Sequence, residues 1–195
     1  MRISHPVIAG VIAASALAGV SVAGCNSHSK SSAPTSGSAT STHTVQPGDY
    51  TQLLIKASDI NAPEPFTAGP AVKNPNGQQG AQITFSDEDK SHTIIDTIQI
   101  MSDPAAAASQ LDSAKATHRE ALLAKPLGVD VGVDGATITG PSQDRSKTVT
   151  MLLFTQGKAF VTIEFDGPSY ALAPPDFVAD VGHKQDEAIK KGLGS

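Results

Sequence analysis

Two apolar runs, Lys147–Thr155 and Lys158–Phe165, are separated only by Gln156-Gly157. Runs of that length joined by so short a turn must pair antiparallel as a β-hairpin. Within the first run, Met151-Leu152-Leu153-Phe154 is apolar at consecutive positions. Successive residues of a strand point to opposite faces, so this strand must be covered on both sides. The chain therefore needs helices to pack on two faces of an antiparallel sheet.

Those helices are visible. Ser102-Asp103-Pro104 places a capping side chain before a proline at the first helical position, and Ala107, Leu111, Ala114, His118 and Leu122 recur at helical spacing through Ala124. Pro174-Pro175-Asp176 opens a last helix with Phe177, Val181, Ala188 and Ile189 on one stripe, Lys190 and Lys191 in its final turn and Gly192 as its stop. A shorter helical pattern follows Asp49, a candidate N-cap, with Tyr50, Leu53, Leu54 and Ala57 on one face. Between them, Ala81–Phe85 and His92–Met101 read as strands flanking the charged tip Ser86–Ser91, and Ala136–Thr139 as another after the Val/Asp/Gly alternation of Leu127–Gly135. The expected class is α+β: an antiparallel sheet of about five strands with about three helices packed on it.

The first 46 residues stand apart from this pattern. Val7–Val22 carries no charge, follows a lone Arg2, and at about 16 residues falls short of the about 20 that span a bilayer. It ends in Val22-Ala23-Gly24-Cys25, which resembles the lipobox of bacterial lipoproteins. The resemblance implies a signal peptide over 1–24, cleavage between Gly24 and Cys25, and a diacylglyceryl group on the Cys25 thiol, with acylation of the new amino group adding another chain. Cys25 is the only cysteine; exported proteins that use cysteine structurally need pairs, so a lone thiol at this place fits a lipid acceptor. Two acyl chains suffice for stable anchoring. From Asn26 to Gln46 the chain is mostly Ser, Thr, Ala, Gly and Pro, too poor in apolar surface to offset its ordering entropy, so 25–46 reads as the lipidated cysteine and a flexible tether. Residues 47–195 remain for a single domain; at roughly 150 residues it is large enough to fold without disulfides or metal. The expected location is the extracytoplasmic face of the cell membrane, held by the lipid.

From lipobox to terminal helix, the layout resembles the small mycobacterial and actinobacterial lipoproteins and the extracellular sensor domains of mycobacterial Ser/Thr kinases. The residues that carry the resemblance are Asp49–Ile60, the helix after Asp103-Pro104 and the hairpin Val149–Phe165. It implies a PsbP-type α/β/α sandwich. The kinase sensors carry paired cysteines that this chain lacks, and no ligand-site residue is transferred.

Candidate chemistry is sparse. Of six histidines, His5 lies in the expected signal peptide and His28 and His43 in the tether, while His92, His118 and His183 show no metal-ligand spacing. No Gly-x-Ser-x-Gly elbow is present. Asp87, Glu88 and Asp89 lack calcium-loop spacing and read as a solvated hairpin tip, with Asp130 and Asp134 on another loop. The Gly128–Gly135 piece follows a helix and precedes a strand, the reverse of a phosphate loop, and reads as a turn or edge strand. A net charge of −5 without a basic block excludes nucleic acid as an expected partner, and 4% aromatic residues with no Trp supply few stacking platforms. The expectation is a non-enzymatic binding module without catalytic residue, metal or cofactor beyond the covalent lipid. It would take a small molecule, lipid or glycan in an apolar cleft near Phe66, Val72 or Tyr170. The alternative is an adaptor that binds another envelope protein through an exposed apolar patch.

Overall fold

The computed structural model describes residues 48–194. The apolar run, the lipobox Val22–Cys25 and the 25–46 segment lie outside the described residues. The expected hairpin is β7 (Lys147–Gln156) and β8 (Ala159–Pro168), closed by a two-residue turn. Gln156 pairs with Ala159, so the turn is Gly157-Lys158, one residue later than expected, with Gly157 at φ 55. Preceding strands are β1 (Thr67–Ala68), β2 (Val72–Lys73), β3 (Gly80–Ser86), β4 (Thr93–Ile100), β5 (Leu127–Gly128) and β6 (Val133–Pro141). All pairings are antiparallel, in the order β1-β3-β4-β8-β7-β6-β5 with β2 beside β3. The class is α+β as expected. The sheet has eight strands where about five were expected, because β1, β2 and β5 are exposed two-residue edge pieces in Pro- and Gly-rich stretches.

Two long helices cover opposite faces. Helix α1 (Pro104–Ala121) starts where Asp103 accepts a hydrogen bond from the Ala106 N–H at 2.8 Å. Helix α2 (Pro175–Leu193) runs past Gly192 and stops at Gly194, whose φ of 69 suits a glycine. The third helical region, after Asp49, is a pair of 3-10 turns, Thr51–Leu53 and Ala57–Asp59. Leu53, Leu54 and Ile55 are all buried. A helix resting on a core buries one stripe, so three consecutive buried residues favour a tighter, extended path.

Alternation along β7 divides the core as its sequence demanded. Leu152 and Phe154 join a large cluster with Val178, Val181 and Ile189 of α2, the Leu53–Ile55 segment and Ile94, Ile98 and Ile100 of β4. Met151 and Leu153 join a smaller cluster with Ala107 and Leu111 of α1. Helix α1 packs on β6, β7 and β8. On that same face β3 and β4 present half-buried Gln82, Thr84, Thr97 and Gln99, and Gln82 donates to Thr97 at 2.9 Å.

Candidate functional site

The α2 face holds a cavity of about 390 Å³, within the size range of small-molecule sites. Four separate segments enclose it. Pro63, Glu64 and Phe66 come from the chain before β1; Asp87, His92 and Ile94 from the β3–β4 hairpin; Phe165 and Asp166 from β8; and Leu172, Ala173 and Phe177 from the loop into α2 and its first turn. Phe165 and Phe177 meet edge to face with centroids 5.8 Å apart, the geometry ring quadrupoles favour.

The chain that leads into the 61–66 wall is tied to α2. Gln185, fully buried, donates to the Leu53 carbonyl at 2.7 Å and accepts from the Ile55 N–H at 3.1 Å. One side chain thus satisfies two buried backbone groups that the irregular segment leaves open. Lys184 adds a bond to the Asp59 carbonyl at 2.7 Å and pairs with Asp180 at 2.8 Å.

At the hairpin end of the cavity the acidic tip divides. Glu88 and Asp89 are exposed, as a solvated tip requires, but Asp87 is buried. Its carboxylate accepts from the His92 N–H, from Ser91 Oγ at 3.1 Å and from His92 Nδ1 at 2.8 Å. Burial pushes this carboxyl up, yet those hydrogen bonds outweigh it and hold it below the usual carboxylate range. The tip is inward-facing at Asp87 because the tight loop needs an internal acceptor. Ser91 also lies 3.0 Å from the same His92 nitrogen. Both the serine and the carboxylate therefore crowd Nδ1, whereas an acid–His–Ser relay needs them on opposite ring nitrogens.

Two further carboxyls occupy the sheet. Asp96, at the centre of β4, is fully buried with no partner for either oxygen. It pairs in register with Ile83 and Ile163, on the face shared by Ile94 and Ile98. Burial raises it to about 8, so it is protonated at neutral pH. On the opposite face, burial and the charge of Asp166 raise Glu164 to about 7, against the pull of Lys147. Lys147 pairs with Asp166 at 3.1 Å, and a hydrogen bond to Asp166 further favours the protonated form of Glu164.

Of the residues expected at a cleft, Phe66 lines the cavity. Val72 sits on β2 outside β3, and Tyr170 points outward at 87% exposure while its neighbours Ala171 and Leu172 form wall. His118 is half-buried on α1, and burial lowers its pKa. His183 is exposed, and His92 precedes β4 as an exposed residue. Gly128–Gly135 forms edge strand and turn: Gly132 has φ 57, and a bulge lies between Val133 and Ala136. Asp130 and Asp134 are exposed. Among the described residues, no group of three or more His, Cys, Asp and Glu is placed to hold a metal. Sequence reasoning missed Asp87, His92, Phe165 and Phe177 as neighbours. It also passed over Asp96, whose one signal was a lone carboxylate at an apolar-face position between Ile94 and Ile98.

No family model matches the chain, and no curated protein matches it. Its fold is similar to that of a solved extracellular domain. That structure is the extracellular domain of PknH from Mycobacterium tuberculosis, with a TM-score of 0.55 and 10% sequence identity, covering 71% of this chain and 93% of that one. At this identity the likeness concerns the fold.

Proposed function

We propose that this chain is an extracytoplasmic lipoprotein whose domain is a non-enzymatic binding module for a small molecule, lipid or glycan of the cell envelope. The cavity on the α2 face carries the reading: its walls are largely apolar, and its ionisable groups are few. Such a site holds an apolar body and orients a polar end. The crowding of Asp87 and Ser91 on one nitrogen of His92 gives the cavity no acid–base relay for hydrolysis. Anchoring rests on the lipobox ending at Cys25. It is supported by a fold similar to an extracellular domain and by the absence, among the described residues, of a helix long and apolar enough to cross a membrane.

The two halves of the reading are tested separately. Cys25→Ala is expected to abolish incorporation of labelled fatty acid and release the chain from the membrane; a variant that stays acylated refutes the anchor. Native mass spectrometry of the mature protein from its own envelope is expected to show an added mass that disappears on denaturation. A bare lipidated chain contradicts the carrier role.

One observation favours a second reading, an adaptor for another envelope protein. Leu127 on β5 and Val133 on β6 are 69% and 54% exposed, and Leu123, just after α1, is 86% exposed. Apolar residues gathered about an open sheet edge suit a protein partner. Cross-linking in intact cells separates the readings, since an adaptor gives a discrete adduct at this edge.

A further inference from the structure

The ionisable groups around the cavity are unbalanced in sign. Glu64 and Asp87 are the acids on its α2-face walls, Asp166 borders it while its carboxylate sits on the opposite face beside Lys147 and Glu164, and no Lys or Arg lines it. Its one basic group, His92, already faces Asp87 through Nδ1, and its ring lies against Gly167. Lys147 answers Asp166 at 3.1 Å, which leaves Glu64, exposed at the rim, without an ion pair among the described residues. Asp87, its side chain 2% exposed and its oxygens taken by Ser91 and His92, acts on the cavity through its charge alone.

The start of α2 also borders this cavity, and a helix N-terminus ordinarily attracts anions through its free N–H groups. Here Pro174 and Pro175 remove two of those donors, and Asp176 in the first turn answers the helix dipole. The remaining walls include three phenyl rings, Phe66, Phe165 and Phe177, whose faces attract cations and repel anions.

We infer that the cavity discriminates by charge, taking an occupant with an organic ammonium group on an apolar body in preference to a neutral or anionic one. The inference rests on the binding-module reading and adds the sign of the ligand to it. A rim carboxylate, a buried carboxylate behind the wall and aromatic rings together favour such a cation: Glu64 supplies an exposed charge and acceptor, Asp87 adds negative charge from behind the wall, and the rings supply a low-dielectric surface that water does not compete for.

The test is calorimetric titration of the full chain with three water-soluble probes of one shape: 4-phenylbutyl-trimethylammonium, 4-phenylbutanol and 4-phenylbutyrate. The ammonium is expected to bind about tenfold tighter than the alcohol, and the carboxylate weakest. Glu64→Gln, a surface change, is expected to reduce the ammonium preference about threefold, and Asp112→Asn on the exposed side of α1 to leave it unchanged. Equal affinity for ammonium and alcohol overturns the charge inference and leaves the cavity as a binding site. Tighter binding of the carboxylate also overturns it. If none of the three binds, the binding-module reading falls with it.

Discussion

The two faces of the sheet solve the same packing problem to different ends. On the α2 face, a long helix, the 3-10 segment and the Ile-rich strands make the larger core, and that core stops short of the β3–β4 hairpin to leave a cavity. On the α1 face a smaller core under β6–β8 gives way to a half-buried row of Thr and Gln. Each face also keeps one carboxyl with a raised pKa. Asp96 is raised by burial alone, and Glu164 by burial together with a neighbouring charge and against a lysine. The α2 face keeps an unpartnered carboxyl, Asp96, within its core, while the α1 face sets Glu164 beside Asp166 and Lys147.

Core truncation tests the difference in packing with the largest effect. Phe154→Ala, beneath α2, is expected to cost about 3–5 kcal/mol, and Met151→Ala, beneath α1, about 2–3 kcal/mol, by chemical denaturation. Equal costs would break the comparison.

Asp96 sharpens it through pH. Its folded pKa, about 8, lies above the unfolded 3.8, so the folded state binds the proton more tightly and stability is lost as pH rises through that window. Wild type is expected to lose up to about 4 kcal/mol between pH 5 and pH 8, because each pH unit between the two pKa values costs about 1.4 kcal/mol. Asp96→Asn removes this loss from the profile. Parallel wild-type and variant profiles would mean that Asp96 is solvated.

Gln185→Ala leaves the Leu53 carbonyl and the Ile55 N–H buried without their partner, and is expected to cost about 2–4 kcal/mol. Hydrogen exchange should quicken in the 53–66 segment first, since that segment depends on the bond. Uniform loosening of the whole domain would show that Gln185 serves the core and not the cavity wall.

The smallest effect is expected on the α1 face. Glu164 is also raised, from 4.5 to about 7, and its contribution likewise falls as pH rises through that window. Partial solvent access and Lys147 reduce it, so Glu164→Gln should change the pH dependence by less than about 1 kcal/mol. A change as large as that of Asp96→Asn would erase the distinction between the faces.

What the sequence disclosed follows the same divide. The hairpin read about Gln156-Gly157, the Asp103-Pro104 cap and the two-sided apolar run Met151–Phe154 are local signals, and each produced the element it implied, the hairpin with its turn one residue later. The segment after Asp49 misled because apolar residues at 53, 54 and 57 fit a helical face, yet Ile55 between them is buried as well. Burial set by Gln185, 130 residues away in sequence, overrode the periodicity. The cavity left no local trace, since its walls come from four stretches between residues 61 and 177 whose spacing means nothing before the chain folds. Asp96 was visible as an anomaly, a charge at an apolar position, and only the register with Ile83 and Ile163 shows how completely it is enclosed.

If the α2 face is the working face, hydrogen–deuterium exchange on the mature protein before and after solvent extraction tests it most directly. Removing the occupant is predicted to speed exchange at 61–66, 92–94 and 165–177 while leaving α1 and the β5–β6 edge unchanged. Faster exchange at the β5–β6 edge, or no change anywhere, would contradict it.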